Sequence, residues 1–205
     1  MAEYHSFEEG SHFISCLLLA DQQLRQGIKD ETNVRWIVIS LHDALYALLI
    51  EKLTRTDGFG AFTKEFEEKA YSNYNAGRSS KSPEFIELLE SQASARVAGI
   101  GALLDRANLQ SGAIIPKCDA HAHKSPNRGL GFMKEMRNYF AHPRPGSSSF
   151  SVGYVITACI DTIDTIRELE GIKGKRSSRH DAREARILIE SIEYYVRRWS
   201  SIASS

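Results

Sequence analysis

Apolar positions recur at helical spacing along most of the chain. From about residue 6 to 27, Phe13, Leu17, Leu24 and Ile28 repeat at four- and seven-residue intervals, and Gly27 weakens the end. From about 31 to 55, Val34, Ile37, Val38, Leu41, Leu45 and Leu48 form one stripe, which Trp36, Ile39 and Ile50 widen. A helix apolar over so much of its circumference belongs at the centre of a bundle. Asp30 or Thr32 is placed to cap it. Residues 56 to 82 are looser: Gly58, Gly60, Gly77 and the run Ser79-Ser80-Lys81-Ser82-Pro83 mark loops around a short acidic helix.

The next helix starts at Ser82, with Pro83 in its first turn and Glu84 near the positive end of the dipole. It carries Phe85, Leu88 and Leu89, then Val97, Ile100, Leu103 and Leu104. Residues 110 to 127 are irregular. A helix from about 125 to 141 follows, opened by Pro126 and stopped by Pro143 and Pro145. Another spans about 152 to 170. A basic linker covers 171 to 178, and the last helix spans about 181 to 202 with Ile187, Leu188, Ile192, Tyr195, Val196 and Trp199. No repeat, heptad pattern or strand stands out. The pattern predicts one all-α domain over residues 1–205, a bundle of about five or six helices.

Composition adds exclusions. With 26 basic and 26 acidic residues the formal net charge is zero, so a globally basic nucleic-acid binder is not indicated, although a local basic patch is compatible with it. Cys16, Cys118 and Cys159 are odd in number and far apart, which argues against a disulfide framework and for a reducing cytoplasm. Cys16 and Cys159 read as small core residues. The polar start with Glu3, Glu8 and Glu9 reads as no secretory signal. The most apolar run, Trp36 to Leu41, is cut by His42-Asp43 and is too short to span a bilayer, so no membrane partner is expected.

The chemistry concentrates in Arg137-Asn138-Tyr139-Phe140-Ala141-His142. A residue before proline is pushed out of helical geometry, so His142 falls at the C-terminal edge of its helix while Met133, Met136 and Phe140 turn inward. Arg144, between Pro143 and Pro145, stays extended close by. Arginine offers a planar, permanently charged fork to phosphate, and histidine exchanges protons near neutral pH. The carbonyl end of the helix favours the imidazolium, and Arg137 and Arg144 oppose it. RNA can be cut without a metal when a base assists attack of its own 2'-hydroxyl on the adjacent phosphate and a cation stabilises the developing charge.

Arg followed by His after four to six intervening residues means little alone, and Arg35 to His42 is a second match in this chain. A polar residue directly after Arg, at the end of a helix, is the more specific form. In that form Arg137-Asn138-Tyr139-Phe140-Ala141-His142 resembles the signature of HEPN domains. The resemblance rests on this motif and on the helical layout of most of the chain. It implies a helical bundle with the motif on a late helix, and a homodimer that brings two copies of Arg and His together. It also implies a metal-independent endoribonuclease, often a toxin or anti-phage effector in the cytoplasm. Its partners would be RNA and a cognate antitoxin or other defence-system protein, and no cofactor is expected. By resemblance Arg137 holds the scissile phosphate, Asn138 orients the motif and His142 acts as base or acid. Where some members carry a tyrosine two residues after the histidine, this chain has Arg144, which argues against an adenylation-controlled subtype.

Three alternatives stand beside this reading. Arg137 could pair with Glu135 or Glu168 at the surface while His142 merely ends a helix. The chain could be a HEPN-like module without catalysis, serving dimerisation, RNA binding or partner binding. It could also bind a small molecule or nucleotide in the bundle core. Secondary candidates for substrate contact are Arg144, Arg35 and His42, and Lys175, Arg176 and Arg179 of the basic stretch that continues to Arg183 and Arg186. Arg35 and His42 lie seven residues apart and share a face of the second helix. His42 on so apolar a helix reads first as a core histidine with a satisfied partner. Cys118-Asp119-Ala120-His121-Ala122-His123 is half of a zinc site with no second half, so no metal is expected.

Overall fold

The computed structural model describes residues 9–27, 30–55, 59–76, 82–84, 86–87, 97–119, 128–142, 149–171 and 179–203. Among them lie seven named helices: α1 (Glu9–Gln26), α2 (Glu31–Leu53), α3 (Lys64–Asn75), α4 (Ile100–Ser111), α5 (Gly129–Ala141), α6 (Val152–Gly171) and α7 (Arg179–Ala203). The all-α expectation holds. The number exceeds five or six because the short acidic segment forms a full twelve-residue helix, with the Thr63 hydroxyl accepting from the Phe66 N–H at its start.

α2 is the central element. It packs on α1, α4, α5 and α6, while α1 and α6 both contact α7 and α5 lies along α6. Ile37, Val38, Leu41, Leu45, Leu48 and Leu49 are fully buried, as a helix surrounded by four others requires. Asp30 caps α2, its carboxylate accepting from the Thr32 N–H at 2.8 Å. Phe13, Leu17, Ala20 and Leu24 of α1 close over α2, forming a helical hairpin. α1 is also tied to α7 through buried Asp21, which accepts from the Ser191 hydroxyl at 2.6 Å and from Arg25 Nε at 2.8 Å.

The helix expected to run on from Ser82 through Leu104 is interrupted. Residues 83–84 and 86–87 are helical, but Val97 pairs with Phe62 in an isolated antiparallel bridge and α4 begins at Ile100 behind Gly99. Tertiary hydrogen bonds hold the chain extended there. The Ala98 N–H donates to the Ala61 carbonyl at 2.9 Å, and the Tyr46 hydroxyl donates to the Ala98 carbonyl at 2.9 Å. Arg106 of α4 donates to the carbonyls of Gly60 and Phe62, so the segment before α3 is strapped to α4. Gly60 is required at this turn: its φ is +119°, and a Cβ would lie 2.0 Å from the Leu53 carbonyl oxygen.

α5 starts at Gly129, and Ser125 and Pro126 lie outside the described residues. Arg128 supplies no side-chain cap. Instead Asp161 of α6 accepts from the Gly129 N–H at 2.8 Å, capping α5 across the helix pair. Burial raises the Asp161 carboxyl above the ordinary value, the Gly129 hydrogen bond opposes this, and the charge of Asp164 adds to the rise.

Candidate functional site

α5 carries the motif, and its packing sets the direction in which Arg137 points. Met133 and Met136 are buried against the core, which leaves Arg137 half-buried at the margin facing α2. Phe140 is also half-buried and meets Tyr139 and Phe150 edge to face, with ring centroids 5.8 and 5.7 Å away. The chain therefore returns to the end of α5 just before α6 begins.

The helix ends where the proline rule places it. His142 is the C-cap with φ −125° and ψ 82°, its N–H donates to the Asn138 carbonyl at 3.2 Å, and its side chain is exposed. Five helical steps separate it from Arg137, about 7.5 Å along the axis and about 140° around it. Within one chain the two residues thus face different ways. Arg144 and residues 172–178, which include Lys175 and Arg176, lie outside the described residues. Arg179 lies in the first turn of α7.

Arg137 meets Asp43 of α2, and neither Glu135 nor Glu168. Its Nε lies 3.7 Å from Asp43 Oδ1, within ion-pair range but beyond a hydrogen bond. That buried Nε has no hydrogen-bond partner among the described residues. The same carboxylate oxygen accepts from His42 Nδ1 at 3.0 Å. An ionised carboxylate only accepts, so the proton in this pair lies on Nδ1. His42 is 8% exposed and stacks on Tyr46 with centroids 6.3 Å apart, so the reading as a core histidine with a satisfied partner describes its surroundings.

Asp43 collects influence from three helices. Burial pushes its carboxyl up, but the hydrogen bond and charge of His42, the charge of Arg137 and that of His12 on α1 together outweigh burial. The carboxyl is held below the ordinary value. Its negative charge reaches Cys16, one turn from His12, whose thiol is pushed up to about 11 by burial first and Asp43 second. The Cys16 Sγ lies 3.6 Å from His12 Nε2, yet at neutral pH it remains a thiol and no nucleophile. Burial also raises the Tyr46 hydroxyl, with Arg137 opposing and Asp43 adding to the rise.

The structure thus joins Arg137 to His42 through Asp43, and it leaves Arg35 apart. Arg35 and His42 do share a stripe of α2, but the bundle covers only the later turn. Arg35 is exposed, with its guanidinium 5.8 Å from the Trp36 ring centroid. Cys118 is half-buried and its thiol donates to the Leu130 carbonyl at 3.6 Å, while His121 and His123 lie outside the described residues. Among the described residues no group of three or more His, Cys, Asp or Glu side chains is placed to hold a metal ion. Asp43 and His12 were not candidates on sequence grounds. The available signal was the polar pair His42-Asp43 inside an otherwise apolar helix, where a charge survives only with partners.

No protein-family model, curated protein or solved structure matches the chain.

Proposed function

We propose that the chain is a metal-independent endoribonuclease of the HEPN type, acting as a homodimer in a toxin–antitoxin or anti-phage setting. The observation that carries this reading is the state of Arg137. It is half-exposed and held beside a carboxylate without a hydrogen bond from its buried Nε, one and a half turns before an exposed histidine that ends the helix. An arginine so held keeps its Nη donors for a phosphate, and an exposed imidazole can exchange a proton. In the reaction the base takes the 2'-hydroxyl proton, O2' attacks phosphorus, and the bond to the 5'-oxygen breaks. The departing oxygen takes a proton from an acid, while Arg137 stabilises the charge on the phosphoryl oxygens. His142 serves as base or acid, Asn138 orients the motif, and a second copy of the chain supplies the other histidine. Arg183 and Arg186, both exposed on α7, continue the basic stretch that would guide RNA by charge.

The test is cleavage of single-stranded RNA by purified Arg137→Ala and His142→Ala. Each is expected to lose cleavage by about 100-fold or more while still folding cooperatively, with His142→Ala melting within about 2 °C of the parent because its side chain is exposed. Two variants that cut at the parent rate would overturn the reading. The second reading is a non-catalytic RNA- or partner-binding module. It is favoured by the balancing of Arg137's charge within the chain by Asp43, and it predicts a parent protein that binds RNA without cutting it.

A further inference from the structure

Arginine and aspartate side chains that meet in a protein ordinarily form two parallel hydrogen bonds near 2.8 Å. Arg137 and Asp43 do not. The guanidinium Nε stops 3.7 Å from Oδ1, and that oxygen is already engaged by His42 Nδ1 at 3.0 Å. His42 is itself fixed: it is buried, stacked on Tyr46, and Tyr46 is anchored through its hydroxyl to the Ala98 carbonyl at 2.9 Å. A relay thus runs from the α4 approach through Tyr46 and His42 to Asp43, and ends at Arg137.

We propose that Asp43 is a positioning residue of this site, holding Arg137 by charge while His42 engages its Oδ1, so that the Nη donors of the guanidinium remain open to an RNA phosphodiester. The proposal rests on the ribonuclease reading and gives α2 a part in it. Two consequences oppose each other. Asp43 places Arg137, which favours the transition state, and its negative charge repels the substrate phosphate, which weakens ground-state binding. A purely structural carboxylate would not separate the two. His42 acts only through Asp43: without its N–H donor, the carboxylate turns to Arg137 and closes it into a hydrogen-bonded pair.

The experiment measures kcat, KM and melting of the full chain on a single-stranded RNA oligonucleotide for Asp43→Asn, Asp43→Glu, His42→Phe and His42→Asn. Asp43→Asn is expected to lower kcat by about 30- to 100-fold and lower KM by about 3- to 10-fold, the signature of lost orientation with relieved repulsion. Asp43→Glu keeps the charge and restores at least about a third of kcat. His42→Phe raises KM by about 10-fold, and His42→Asn, whose amide donates from nearly the same place as Nδ1, returns it to within about 3-fold. If Asp43→Asn does not fold, Asp43→Glu and the His42 pair decide. Asp43→Asn with kcat and KM within twofold of the parent, or equal KM for His42→Phe and His42→Asn, overturns the positioning role. An inactive Arg137→Ala beside a fully active Asp43→Asn overturns this role alone. A parent chain that does not cut RNA, whether or not it binds it, overturns both.

Discussion

Asp43 is ionised because its partners outweigh burial, and that balance carries a pH dependence. Its folded carboxyl lies below the ordinary value, owing to His42, Arg137 and His12 acting against desolvation. A lowered acid contributes stability that is fully present above its unfolded value, about 3.9, and is lost as the pH falls through the folded one. The stability difference between the parent and Asp43→Asn is therefore expected to shrink as the pH falls below about pH 4. Urea midpoints at several pH values read this directly. A difference that stays flat into acid would remove the linkage. At the same scale the cysteines are plain core atoms. Cys159 is fully enclosed and its thiol is pushed up to about 12 by burial alone.

The conduct of α5 as an element depends on both of its ends. Its C-terminus is local chemistry, since Pro143 forces His142 out of the helix. Its N-terminus is not. Asp161 reaches from α6 to the Gly129 N–H, and a Cβ at Gly129 would lie 2.5 Å or less from the Asp161 side chain. Gly129→Ala must push α5 and α6 apart or break the cap, and is expected to cost about 1–3 kcal/mol in chemical denaturation. Because α5 carries Arg137, the same change is expected to reduce RNA cleavage. A Gly129→Ala protein as stable as the parent would show that the cap is dispensable. The interruption before α4 belongs to this scale too. Apolar spacing through Val97 and Ile100 reads as one helix, but Ala61 and Tyr46 claim the backbone of Ala98 and hold the chain extended.

For the whole molecule, α2 organises the bundle and α7 closes it. No helix among the described residues is long and apolar enough to cross a membrane. The closure of α7 onto α1 uses a polar lock in which buried Asp21 takes the Ser191 hydroxyl and Arg25 Nε. Asp21→Ala leaves the half-buried Ser191 hydroxyl without its acceptor and is expected to destabilise the fold by about 1–3 kcal/mol, with Asp21→Asn recovering part of it. Hydrogen exchange in α7 that is no faster in Asp21→Ala than in the parent would contradict this. The sequence by itself determined the all-helical class, the central place of α2, a capped start of α2 at Asp30 or Thr32 and the ending of α5 at His142. Each follows from local spacing, capping chemistry or the constraint of a following proline. Only the tertiary structure decided which carboxylate faces Arg137, that His42 is tied to it, and where α4 begins. Arg137 and Asp43 stand 94 positions apart and Tyr46 and Ala98 stand 52 apart, and no local pattern encodes which of several acids a packed helix will present.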